Sequence, residues 1–252
     1  MKRDSRHRPA SRPALLGAVV LLALTSASVA AADDGPGPLG VTADAVASRQ
    51  SARVGALFHA DRADDLAGGH FCTASVVHSP RRDLVVTAAH CVDGVAGDLV
   101  FVPGYREGRA PFGVWKVTRT VLPDGWDEDS DVAFAAVDER DGRRIEDVVG
   151  GNRFTPGVAT GATAVTVTGY PDSREVPIRC TAKPTRYSNT QQRIACPDFT
   201  AGTSGSPWVN GDGQVVGVLG GHEKGGSTDD VSYSVVLGSE AERLYRGAAS
   251  GA

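Results

Sequence analysis

A serine hydroxyl is a poor nucleophile until a base takes its proton, and that base must be oriented and its cation stabilised by a third group. Residues of all three types stand in short segments of this 252-residue chain. The first segment is Thr87-Ala88-Ala89-His90-Cys91, directly after the apolar run Leu84–Val86. A histidine at a strand end, with its neighbour tied by a disulfide, is held in a fixed orientation. The second is Asp129-Ser130-Asp131-Val132-Ala133-Phe134, where a carboxylate opens an apolar strand. Asp131 would enter the core, where a buried carboxylate needs a hydrogen-bonding partner, and an imidazole N–H would serve. The third is Gly202-Thr203-Ser204-Gly205-Ser206-Pro207. Its glycines allow a tight turn and a close approach of backbone to substrate. The N–H groups of Gly202 and Ser204 can converge on one point, as stabilisation of a developing oxyanion requires.

Each segment also has a bland reading. His59, His70, His78 and His222 are further histidines of the chain, and any one alone is more often a surface or packing residue than a base. The run Asp127-Glu128-Asp129 reads as a solvated acidic loop that could even bind calcium. Gly-Ser loops occur in any β protein. The conjunction of base, carboxylate and flanked serine is what points to acyl transfer. An α/β-hydrolase would instead need Gly-x-Ser-x-Gly in a strand-turn-helix, with the histidine last in the chain; here the histidine comes first.

The elements that must hold these residues are mostly strands. Thr163–Thr168 alternates threonine with Val165 and Val167, the period-two pattern of a half-buried strand. Similar runs occur at Val54–Phe58, Cys72–His78, Leu84–Thr87, Leu99–Val102 and Val114–Val121, and again at Val132–Val137, Arg193–Cys196, Gln214–Leu219 and Ser232–Val236. With 31 Gly and 14 Pro between and around them, they suggest a sandwich or barrel. The polar stretch Asp138–Asp147 divides them into two groups, about 54–137 and 155–237. One helix is predicted over 239–247, with Ser239 as its cap, Glu240 and Glu242 in its first turn and Arg243 and Arg246 toward its end.

Residues 1–30 read as an address. A basic stretch ending at Arg12 precedes the apolar run Ala14–Leu24 and then small residues to Ala30, the order of a secretory signal peptide. Residues 31–53, with Pro36 and Pro38, read as a leader or propeptide, leaving 54–252 as the working domain. Residues 1–30 hold five Lys or Arg and one acid, so their removal takes the net charge from −4 to −8. That is the wrong sign for a nucleic-acid or anionic-membrane partner. In an exported chain, Cys72, Cys91, Cys180 and Cys196 read as disulfides, with three pairings open; no Cys-x-x-Cys knuckle suggests a metal.

At the three segments the sequence resembles the chymotrypsin-like (trypsin-fold) serine peptidases, especially their secreted bacterial branch. The resemblance runs from about Val54 to Tyr245 and rests on Thr-Ala-Ala-His-Cys, Asp-Val-Ala and Gly-x-Ser-Gly-x-Pro in that order. It implies an all-β fold of two six-stranded antiparallel barrels and a C-terminal helix, with the site in the cleft between them. It implies His90 as general base, Asp131 as its orienting carboxylate, Ser204 as nucleophile, and Gly202 and Ser204 as oxyanion donors. It also implies a Cys72–Cys91 disulfide beside the histidine. No metal or cofactor is expected, and the partners are protein or peptide substrates of a secreted monomer. The alternative is a secreted binding protein on the same fold that has lost turnover.

Two departures bear on regulation and specificity. Thr203 stands where the family usually has an acid that pairs with a freed N-terminus, so that activation switch is not expected. Leu219 and Phe199 stand where glutamate-specific members use histidine and threonine, which disfavours glutamate specificity, although His222 lies nearby and a shifted alignment would restore it. Asp198, six residues before Ser204, takes the position of the carboxylate that pairs with Arg or Lys of the substrate, opposite Gly220, Gly221 and Tyr233.

Overall fold

The computed structural model describes residues 38–95 and 98–251. The segment read as a signal peptide and the first part of the leader lie outside the described residues. The first barrel is built from β2 (Val54–His59), β3 (His70–Val77), β4 (Leu84–Thr87), β5 (Leu99–Pro103), β6 (Trp115–Val121) and β7 (Ala133–Val137), after a short β1 (Thr42–Asp44) that belongs elsewhere. It closes in the order β2-β3-β4-β7-β6-β5, with antiparallel neighbours. Leu57, Val76, Val85, Phe101 and Trp115 fill its interior. Gly55 is required by close approach, since a Cβ there would lie 2.4 Å from the Val102 carbonyl oxygen and 2.6 Å from the Phe101 ring.

The polar divider ends in a short helix, α1 (Ile145–Val149), whose Ile145 and Val149 are buried. The second half then follows as β8 (Arg153–Phe154), β9 (Val165–Gly169), β10 (Ile178–Ala182), β11 (Thr185–Arg186), β12 (Gln191–Ala195), β13 (Pro207–Asn210), β14 (Gln214–Val218) and β15 (Val231–Val235). One sheet runs β1-β10-β9-β13-β14-β8 and another β11-β12-β15. Side chains stitch the seam between them. Ser234 Oγ accepts from Val218 N–H at 2.9 Å, and the Gln192 side-chain amide donates to the Val216 carbonyl at 3.1 Å. Val165 and Val167 point inward from β9, as their alternation with threonine predicts.

Residues 42–44 add a strand to this half, whereas Ala52 already packs in the core cluster of the first barrel. Strand β1 pairs with β10, Thr42 facing Cys180 and Asp44 facing Ile178, and Thr42 Oγ1 donates to the Pro197 carbonyl at 2.6 Å.

The terminal helix α2 (Ser239–Ser250) returns to the first barrel. It buries Ala241, Ala248 and Ala249 beside Phe134, and Tyr245 donates its hydroxyl to the His78 carbonyl at 2.6 Å. One detail differs from the sequence reading: Gly238 occupies the cap position, and no side chain caps the helix. Ser239 already lies inside the first turn, too far along to serve. The helix also runs three residues beyond the expected 247, because Ala248 and Ala249 continue its buried stripe.

Candidate active site

His90 sits in a single 3-10 turn, Ala89–Cys91, at the end of β4. Two constraints fix that turn. Cys91 is joined to Cys72 of β3 with an S–S distance of 2.00 Å, and Asp131 holds His90 at two points. The His90 backbone N–H donates to Asp131 Oδ1 at 3.0 Å, and Nδ1–H donates to Oδ2 at 2.7 Å. Because a carboxylate only accepts, this second bond places a proton on Nδ1 and leaves Nε2 as the ring nitrogen not engaged by Asp131.

Asp131 precedes β7 and is fully buried, while the His90 side chain is 11% exposed. Burial is the largest influence on this carboxyl and by itself would raise its pKa. The hydrogen bond and charge of His90, with the amides of Gly221 and His90, outweigh it and hold Asp131 below its ordinary value of 3.8. The Gly221 N–H reaches Oδ2 at 2.8 Å from the second half of the molecule. Gly220 must lack a side chain here, since a Cβ would fall 2.7 Å from that same oxygen.

Ser204 is carried by a turn that docks on the first barrel through β3. Thr73 N–H donates to the Ser204 carbonyl at 2.7 Å, and Thr73 Oγ1 donates to the Gly202 carbonyl at 3.0 Å. Thr73 directly follows Cys72, so a short path of covalent and hydrogen bonds links the His90 turn to the Ser204 turn. Gly202 (φ +89°) and Gly205 (φ +86°) adopt left-handed backbone that favours glycine. A Cβ on Gly205 would lie 2.0 Å from the Thr73 carbonyl oxygen. Among the described residues, the N–H groups of Gly202 and Ser204 donate to no acceptor, whereas Thr203 N–H between them is taken by the Thr200 carbonyl at 3.1 Å. Two free N–H groups flanking one engaged one can receive an anion.

Ser204 Oγ donates to the Lys224 carbonyl at 3.4 Å rather than to His90. Lys224 belongs to a turn, His222–Gly225, in which Glu223 (φ +49°) and Lys224 (φ +56°) are both left-handed. Glu128 supports this turn by accepting from the Glu223 N–H at 3.1 Å and from His222 Nδ1 at 3.3 Å. Its neighbour Asp129 accepts from Thr190 and Gln191, which keeps its carboxyl below the usual range. The acidic run is thus a bridge to the second half. Nothing in the sequence marks Lys224, because its contact with Ser204 depends on backbone placement alone.

The residues expected to line the substrate cleft divide into two sets. Phe199 and Leu219 are buried in one apolar cluster with Trp208 and Val216. Gly220 and Gly221 are buried, and Tyr233 packs edge-on against His222 and Tyr187 with ring centroids 4.9 and 4.8 Å apart. Asp198 stands apart: its side chain is exposed in a left-handed turn (φ +68°), not desolvated against that wall. The Cys180–Cys196 disulfide braces the start of this segment. Cys72, His90 and Cys91 cluster within 4.8 Å, but both sulfurs are spent in the disulfide and offer no thiolate to a metal.

The trypsin-like peptidase domain model matches residues 72–218, more than half of the chain. In structure the chain is similar to the protease Anisep from Arthrobacter nicotinovorans, with 26% identity, a TM-score of 0.69, and 83% of this chain and 99% of that one covered. It is similar to the thermostable serine protease AL20 from an extremophilic microorganism, with 27% identity, a TM-score of 0.68, and coverage of 81% and 100%. A Glu endopeptidase shares the fold at 18% identity and a TM-score of 0.66, over 85% and 98% of the two chains. No curated protein is significantly similar in sequence. Fold and family together define a serine endopeptidase, a hydrolase of peptide bonds. The chain belongs to the trypsin-like peptidase family.

Proposed function

We propose that this protein is a secreted endopeptidase that works through an acyl-enzyme formed on Ser204. The observation that carries the reading is the His90–Asp131 pair, an imidazole held through Nδ1 by a buried carboxylate at 2.7 Å, so that Nε2 is the nitrogen left to act as base. The Ser204 hydroxyl leaves the Lys224 carbonyl, rotates to His90 Nε2 and surrenders its proton as its oxygen attacks the scissile carbonyl. The N–H groups of Gly202 and Ser204 receive the oxyanion, each worth about 3–4 kcal/mol in such sites. His90 then protonates the leaving amine, and water repeats the sequence to release the acid. No step calls on a metal or cofactor.

Export is supported by the basic-apolar-small order of residues 1–30 and by the two disulfides, which suit an oxidising compartment. Among the described residues, no helix is long and apolar enough to cross a membrane. The pairing of β1 with β10 supports a mature protein that keeps residues 38–53. For the residue before the cut, Asp198 favours Arg or Lys, but an exposed carboxylate pairs weakly, so the preference is expected to be modest.

Fluorophosphonate labelling tests the whole reading. The mature wild type is expected to label and Ser204→Ala to remain unlabelled; an unlabelled wild type would mean a catalytically silent binding protein. A peptide library run on the same protein tests the cleft. A preference for Arg or Lys that disappears in Asp198→Ser supports the assignment, and a preference for Glu or small apolar residues refutes it.

A further inference from the structure

His70 is buried, unlike the other histidines described. It opens β3 among the rings of Phe58, Tyr105 and Tyr170, with centroids 5.8, 5.5 and 6.2 Å away. Its Nε2 lies 2.9 Å from the Pro171 carbonyl oxygen. A carbonyl only accepts, so Nε2 carries the proton. Nδ1 is buried and makes no hydrogen bond among the described residues. A phenylalanine would fill the same aromatic cage at less desolvation cost; what histidine adds is the single N–H.

That N–H holds one face of a planar unit. The Pro171 carbonyl and the Asp172 N–H belong to the same peptide group, which is trans like every peptide bond described. Its other end, the Asp172 N–H, donates to the Ala201 carbonyl at 2.8 Å. The Ala201 carbonyl in turn shares a peptide group with the Gly202 N–H, which must point the opposite way. The packing leaves no slack between the two groups, since a Cβ on Gly202 would sit 2.4 Å from the Asp172 nitrogen and 2.6 Å from the Tyr170 carbonyl oxygen.

We propose that His70 is a positioning residue for the peptidase reaction: through the Pro171–Asp172 and Ala201–Gly202 peptide groups it sets the direction of the Gly202 N–H that receives the oxyanion. The inference rests on the Ser204 acyl-enzyme reading above. Thr73 does the complementary job on the following peptide group, accepting from Tyr170 N–H at 2.9 Å and donating to the Gly202 carbonyl at 3.0 Å. A misdirected donor weakens the transition state and leaves ground-state binding intact, so the effect falls on kcat and spares KM.

The test compares the wild type with His70→Phe and His70→Leu, which lack a donor, and with His70→Gln, whose side-chain amide can reach the position of Nε2. Losing one oxyanion donor outright costs about 10²–10³ in kcat, so the donorless variants should lose more than about tenfold with KM within about threefold. The glutamine variant should stay within about tenfold of wild type. The proposal is overturned by a donorless variant that keeps kcat within tenfold, by equal losses in all three variants, or by losses that fall chiefly on KM. Should neither donorless variant fold, the glutamine variant decides: kcat within tenfold upholds the relay and a larger loss at unchanged KM ends it. Fluorophosphonate labelling of the wild type separates the two levels of inference. Absent labelling defeats the Ser204 reading, whereas normal labelling with an active His70→Phe defeats the relay alone.

Discussion

Asp131 accepts three hydrogen bonds inside the protein, from the imidazole and backbone of His90 and from the Gly221 amide. Such a carboxylate is both an orienting device and a source of stability. In Asp131→Asn the side-chain amide can turn a donor toward His90, favouring the wrong tautomer, and kcat is expected to fall by on the order of 10⁴. The pH dependence of stability follows from the direction of the pKa shift. The folded-state pKa lies below the unfolded one, so the wild type gains stability that is fully present above the ordinary value of 3.8 and lost as the pH falls through the lowered folded value. Urea melts from pH 7 downward should therefore show the gap between wild type and Asp131→Asn narrowing only below about pH 4. A gap that stays constant down to pH 2 would sink this account. At this scale the meeting of His90 with Asp131 was legible. His90, Asp131 and Ser204 each lie in a local motif whose residue types state a chemistry. Lys224 and His70 were not legible, because their contacts with Ser204 Oγ and the Pro171 carbonyl join positions 20 and 101 residues apart.

The turns that carry these residues are pinned by the strands beside them, and the two disulfides separate the contributions of stability and geometry. Cys72–Cys91 and Cys180–Cys196 span similar separations of 19 and 16 residues. Each is therefore worth about 3 kcal/mol in the chain-entropy model. Replacing either pair by serine should lower Tm by roughly 6–12 °C for a domain of this size. Their effects on turnover should differ. Cys91 adjoins His90 and Cys72 adjoins Thr73, so loss of this pair loosens both the His90 turn and the Ser204 turn; the other pair braces the segment that leads into Asp198. With both variants assayed well below their midpoints, kcat should fall in Cys72→Ser/Cys91→Ser and hold in Cys180→Ser/Cys196→Ser. Equal losses of kcat would refute the division. Strand prediction fared unevenly for physical reasons. The first barrel's runs are apolar and bounded by turn residues, and they stand within a residue or two of their expected places. Strand β10, Ile-Arg-Cys-Thr-Ala, is too polar to signal itself, and β13 begins with Pro207, which discourages a strand reading although a strand's first position tolerates proline. Residues 42–44 carry no alternating apolar pattern at all; they become a strand because the edge of β10 offers unpaired backbone groups.

On the scale of the whole molecule, the proposed site joins groups from two halves, so it persists only while the halves stay in register. A shared core enforces that. Val77, Leu84, Val86 and Phe134 of the first barrel pack in one cluster with Phe154, Val209, Val215 and Val218 of the second half and with Ala241, Ala248 and Ala249 of α2. Phe134 is the hub: it meets Phe154 edge-on at 4.9 Å between centroids and Tyr245 of α2 at 5.6 Å. Removing its ring leaves a cavity bounded by all three parts. Phe134→Ala should cost about 3–5 kcal/mol, and because no half owns that cavity the loss should be felt in both. Hydrogen exchange gives the measurement: the slowest amides of β4 and β7 and those of β13 and β14 should lose protection by the same factor, as expected when all of them open through one global unfolding event. If the second half kept its wild-type protection while the first lost its own, the halves would be separate folding units. The meeting of Gly221 with Asp131 would then be a docking contact able to open by itself, and activity would fade with temperature before either half melts.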